Sequence, residues 1–169
     1  MATSYPNTQS YDFKFLKATR PCKNLVKCEY SNSISGILRS TRSFSKFFYI
    51  MHLSGLLSIY DDINYEGTTL FVPVDSGFIM TDEDMIQMEK LTAIDIIKRH
   101  TINTVVPFNL LLNSASFVLD TKHPNKKLLI SHDIKKTPPL VKINNVTTLV
   151  LQDIIAANGI IHGINSLLY

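Results

Sequence analysis

From Ser116 to the C-terminus the chain repeats one pattern. Short apolar runs, SFVLDT, KKLLISHD, PLVKINN, VTTLVLQDI and IIHGINSLL, alternate with turn-forming pieces, HPNK, KKTPP, NN and AANG. Runs of this length, rich in Val, Ile and Thr and bounded by Asn, Gly and Pro, read as strands joined by tight antiparallel connections. Asn158-Gly159 is the strongest hairpin signal, because both residue types tolerate positive φ.

Before residue 116 the period is mainly helical. In STRSFSKFFYIMHL, Phe44, Phe47, Phe48, Met51 and Leu53 recur at helical spacing, Ser40 or Thr41 is placed to cap the start, and Gly55 permits a stop before a second turn, LLSIYD. Thr68–Val72 is one early buried strand, closed by Pro73, which has no amide to give to a ladder. Asp75 or Ser76 is expected to receive the amides of the helical turn that follows them. Thr81 is expected to cap a helix whose first turn is acidic. TAIDIIKRH forms another helix, with Ile94, Ile96 and Ile97 inward and Lys98 and Arg99 near its C-terminal end. Helices first, one early strand, then a run of mostly antiparallel strands make an α+β domain.

With 169 residues, 45% of them hydrophobic, the chain has the material for one domain with a core. Its charge is uneven. Residues 1–42 hold seven basic side chains, Lys14, Lys17, Arg20, Lys23, Lys27, Arg39 and Arg42, against Asp12 and Glu29, so a basic arm precedes a slightly acidic body. Polar composition and weak periodicity assign residues 1–37 to an extension and 38–169 to the folded domain. No stretch approaches the roughly 18 apolar residues of a membrane span, and MATSYPNTQSYDFKF lacks the apolar segment of a signal peptide. Cys22 and Cys28 fit no zinc pattern; they are free thiols, or one small disulfide loop in an oxidising compartment. Asn145-Val146-Thr147 is a glycosylation sequon, meaningful only if the chain is secreted.

The one residue that tests whether to look for chemistry is His162. On a strand, Ile160, His162, Ile164, Ser166 and Leu168 share one face, and Ile161, Gly163, Asn165 and Leu167 the other. An imidazole between two isoleucines belongs to a core, where each ring nitrogen needs a partner; an unpaired one costs on the order of 1–3 kcal/mol. A catalytic histidine needs a nucleophile or carboxylate in a cleft. The sequence has no GxSxG, HExxH or phosphate loop, and Ser76 reads as a helix entry. His123 and His132 could meet across a hairpin, but two ligands are too few for a catalytic metal. No cofactor is indicated. Tyr5, Tyr11, Phe13, Phe15 and Tyr30 interleave with the arm's cations, a pattern as usual for tails packing on their own domain as for base stacking, so no nucleic acid is expected.

Four stretches together resemble the fasciclin domain family. QDIIAANGIIHGINSLL is similar to its C-terminal motif, with an Asp-Ile pair (Asp153, Ile154), Asn158-Gly159, a central His162 and a closing Leu pair. TTLFVPVDSGF resembles its Thr-x-Phe-x-Pro-x-Asp-x-x-Phe motif through Thr69, Phe71, Pro73, Asp75 and Phe78. IIKRHTI resembles the helix that ends in a Tyr-His pair, with Arg99 in place of the Tyr before His100, and FSKFFYIMHLSGLL resembles the opening helix. Val74 and Asn165 also depart from the pattern, standing where the family has Thr and Asp.

The resemblance implies helices packed on a mostly antiparallel sheet wedge and a non-catalytic, adhesion-type protein-binding role outside the cell or at a surface. It implies recognition residues at His100, Asp153 and Ile154, with Arg99 beside them. The alternative is a structural or assembly component that docks through the basic arm. Richness in Ile, Asn and Lys is a compositional hint of an AT-rich genome such as that of a large DNA virus, which would allow a virion-associated place.

Overall fold

A computed structural model describes residues 32–64, 67–113, 115–133 and 135–169. Cys22, Cys28 and the aromatic and basic residues expected of the arm before Asn32 lie outside the described residues. Chain order begins with helices α1 (Ile34–Ser40), α2 (Ser45–Ser54) and α3 (Leu57–Asp61), then strand β1 (Thr68–Pro73), helices α4 (Asp82–Ile86) and α5 (Lys90–Arg99), the two-residue strand β2 (Thr101–Ile102) and the turn of helix α6 (Phe108–Leu111). Strands β3 (Ser116–Asp120), β4 (Lys127–Asp133), β5 (Leu140–Ile143), β6 (Thr147–Ala156) and β7 (Gly159–Ile164) follow. Among the described residues the strands form one seven-stranded sheet in the order β2-β1-β7-β6-β5-β4-β3. Its ladders are antiparallel except β1 with β7, which are parallel.

Period-two alternation divides the central strands between two cores. Leu70, Val72 and Ile161 face the helices and pack with Phe44, Phe47, Phe48, Met51 and Ile97. Phe71, Ile164 and Leu168 face the other way, onto Leu128, Ile130, Val141 and Ile143 of β4 and β5. β1 is buried along its whole length, Thr68 and Thr69 included, whereas edge strand β3 alternates between exposed and half-buried positions.

Several local expectations are corrected by longer-range partners. Residues 34–37, grouped with the extension by composition, are helical, and α1 sends Ile34 and Leu38 fully into the first core. Ser40 and Thr41 do not cap α2. Their hydroxyls donate back to Ile37 O (3.2 and 2.7 Å) and close α1 instead. The cap of α2 comes from across the fold: Asp75 accepts the Lys46 amide at 2.8 Å and the Ser45 hydroxyl at 2.5 Å. Asp75 therefore serves a helix thirty residues upstream, and the short turn it opens, Asp75–Gly77, has no side-chain cap.

Thr81 does cap α4, in a reciprocal capping box with Asp84. Gly55 closes α2 at φ 76°, a left-handed conformation suited to glycine. On α5 the core positions are Ala93, Ile96 and Ile97; Ile94 is only half-buried.

The hairpin at Asn158-Gly159 forms, but not through positive φ at either residue. Asn158 is buried and acts through its side chain, which accepts the Ile34 amide at 2.8 Å and donates to Tyr60 O and Asp62 O. Gly159 is required by close approach: a Cβ there would lie 2.1 Å from Thr68 O on the parallel neighbour β1.

Candidate binding face and its buried histidines

His162 is fully buried on β7, its ring stacked on Phe71 with centroids 5.6 Å apart. Nε2 lies 2.8 Å from Val106 O, which can only accept, so Nε2 carries the proton. Nδ1 then accepts the amide of Asp153 at 3.2 Å. Both nitrogens are consumed by backbone groups, and burial pushes the ring's pKa below its usual value, against the opposing pull of Val106 O and the Asp153 charge. The imidazole is a neutral cross-tie between β7, β6 and the loop before α6.

That loop is held from two further points. The Thr69 hydroxyl donates to Thr104 O at 2.6 Å and accepts the Val106 amide at 2.8 Å. Asp153 sits in the left-handed region at φ 53°, where β6 slips register against β7 between Leu151 and Ile154. The irregularity turns its amide toward His162, while its carboxylate accepts the Phe108 amide at 2.9 Å, at the first turn of α6. Thr69, Asp153 and His162, far apart in sequence, thus fasten one five-residue connection, 104–108.

His100 is the mirror case. It ends α5, is fully buried, and packs 5.3 Å from Phe47. Nδ1 donates to Ile96 O at 2.7 Å, and Nε2 accepts the Leu168 amide at 3.1 Å, so this ring has the opposite tautomer. Burial lowers its pKa to about 4; the Ile96 carbonyl pulls upward and Arg99 adds a smaller downward push. The ring joins the end of a helix to the closing Leu pair of the C-terminus. The backbone continues the connection across the sheet, since Phe71 N donates to His100 O and Phe71 stands opposite His162.

The residues expected to recognise a partner therefore differ in access. His100 is enclosed. Arg99 is half-buried and turned to Asp95, 3.9 Å away, which also holds His123 at 3.0 Å. Ile154 is half-buried against the first core. Asp153 is exposed, and its neighbour Ile155 is 70% exposed. His123 and His132 do not meet: the β3–β4 register puts His123 in the connecting turn and His132 at the opposite end of the ladder. Among the described residues no three His, Cys, Asp or Glu side chains are placed to hold a metal ion, and no helix is long and apolar enough to cross a membrane.

Sequence reasoning missed the roles of Thr69 and Asp75 because each serves a distant segment, 35 and 37 residues away for Thr69 and 29 and 30 for Asp75. Pro107, which fixes the loop just after Val106 and before the first turn of α6, was the available signal for that connection.

An α+β wedge of helices on a seven-stranded sheet, tied by two neutral histidines, defines the structural class. The fasciclin domain family model matches residues 42–169, and the chain belongs to the fasciclin domain family, whose domains are generally non-catalytic binding modules. Among solved structures it is similar to a FAS1 domain pair from the insect cell adhesion molecule Fasciclin I, with 21% sequence identity and a TM-score of 0.67 over 82% of this chain. The chain spans about half, 51%, of the length of that pair. No curated protein matches it by sequence.

Proposed function

We propose that this chain is a non-catalytic protein-interaction module of the adhesion or surface-binding type. The observation that carries the reading is the commitment of both motif histidines: each ring is enclosed and has both nitrogens bonded to backbone, leaving neither a base nor a nucleophile's partner. What the same scaffold offers outward is the irregular stretch of β6, with Asp153 and Ile155 exposed, whereas Arg99 at the end of α5 is half-buried beside Asp95. Asp153 and Ile154 act there as a pair, the acid outward and the isoleucine anchoring the strand, while His100 supports the face from inside. Family membership and the likeness to a cell adhesion molecule's domains support this reading.

The test is attachment of adherent cells to the immobilised full chain, comparing wild type with Asp153→Ala, Arg99→Ala and Ile155→Ser. A loss of attachment in the Asp153 or Ile155 variant, with folding shown intact by denaturation, is expected. Equal attachment by all three removes this face from the account.

A further inference from the structure

The geometry points to a binding groove between β5 and β6 for an extended segment of a protein partner, apolar at its centre and acidic at its flank, added to β6 as a further strand. β6 is ten residues long, yet its ladder with β5 has only two residue pairs, Lys142 with Thr148 and Ile143 with Thr147. Beyond Thr148 the two strands part. From Leu149 to Ala156, among the described residues, β6 is laddered to β7 alone. A strand with one open side offers main-chain donors and acceptors to any extended peptide that reaches it.

The opening is shaped to hold a side chain. It is a groove of about 430 Å³ walled by Phe108, Pro138, Pro139, Leu140, Leu149 and Leu151. Apolar side chains also stand out along the strand: Val150 is 48% exposed and Leu151 41%. Apolar surface beside an open strand edge is what strand addition uses, with backbone bonds giving affinity and alternate side chains giving selectivity.

Charge selects the partner. Lys136 lines the groove and Lys135 is exposed next to it, and neither has an ion pair among the described residues. Asp133 and Asp153 keep their negative charge while accepting the Lys135 amide at 3.0 Å and the Phe108 amide, but neither lines the groove. Of the residues that do line it, Lys136 alone is charged, so the charge inside the groove is positive. A partner segment with an apolar residue for the groove and an Asp or Glu near Lys136 complements it.

This inference rests on the protein-binding reading and narrows it to one surface. The test pans a random twelve-residue displayed-peptide library against the full chain. The most enriched peptide, fluorescein-labelled, is then titrated by anisotropy into wild type, Lys136→Glu, Val150→Asp and the distant surface control Ile79→Ser. Enrichment of sequences with an apolar centre and acidic flank is expected, together with slowed amide exchange over residues 149–155. Lys136→Glu should weaken binding about fivefold, in the range of an exposed ion pair, Val150→Asp should weaken it further, and Ile79→Ser should leave it unchanged. Exchanging the peptide's acid for lysine should restore binding to Lys136→Glu. No enrichment, enrichment of basic peptides, or protection of a different surface overturns the groove. The last result leaves the protein-binding reading standing, which the cell-attachment experiment tests separately. Should Val150→Asp fail to fold, Lys136→Glu, at an exposed position, still decides the matter.

Discussion

Acidification from pH 7 to pH 4 loads protons onto the unfolded chain before it loads them onto the folded one, and His100 sets much of the difference. In the folded chain its pKa is about 4, chiefly because burial disfavours the imidazolium, and its Nε2 is occupied by the Leu168 amide. Unfolded, it returns to its ordinary 6.5. A folded pKa below the unfolded one means that the unfolded state binds more protons between the two. The ring's contribution is complete above pH 6.5, declines as pH falls through the window from 6.5 to about 4, and falls no further below it. At about 1.4 kcal/mol per unit the full effect is about 3 kcal/mol, of which about 2 kcal/mol is gone by pH 5. With a urea dependence of roughly 2 kcal/mol per molar, that moves the unfolding midpoint down by about 1 M. Carboxylates titrate in the same range, so the comparison is wild type against His100→Gln, each unfolded in urea from pH 7.5 to 4. The wild-type midpoint should fall more steeply by about this amount. Parallel curves would refute the enclosure of a neutral His100. His162, whose pKa burial also lowers, acts in the same direction.

Other substitutions test separate ties. Gly159→Ala should cost about 3 kcal/mol or prevent folding, because the new Cβ meets backbone at Thr68 O and forces β1 and β7 apart; thermal denaturation will show it. Asp75→Ala should destabilise by about 2 kcal/mol through the uncapped start of α2, with Asp75→Asn losing less, as read from urea midpoints. Thr69→Val keeps the shape but removes both bonds to the 104–108 loop. It should cost about 2 kcal/mol and speed amide exchange at Val106, whereas Thr69→Ser should stay close to wild type.

Much of the architecture was legible in the chain because periodicity reports which face is buried. The alternation along residues 160–168 correctly separated the faces, with Ile164 and Leu168 in one core and Ile161 and Leu167 in the other. What escaped were partners distant in sequence. Asp75, Ser40 and Thr41 each have the chemistry of a cap, and nothing local says which helix end each serves. Asn158-Gly159 signalled its hairpin for the wrong reason: the asparagine reaches α1 and the end of α3, and the glycine makes room for β1. His100 and Asp153 were legible as motif residues, but their access was not. A histidine that ends a helix looks the same in sequence whether a C-terminal leucine covers it or solvent does, and only the fold brings Leu168 to it.

The central claim is that His162 is a sealed, neutral tie and that the domain works through its outer face. Nitrogen-15 correlation spectra of the histidine rings test it most directly. The account predicts a protonated Nε2 and a bare Nδ1 for His162 at pH 7.5, with a midpoint below its ordinary value, and the reverse tautomer for His100. A His162 ring that averages both tautomers and titrates with a midpoint at its ordinary 6.5 would contradict it.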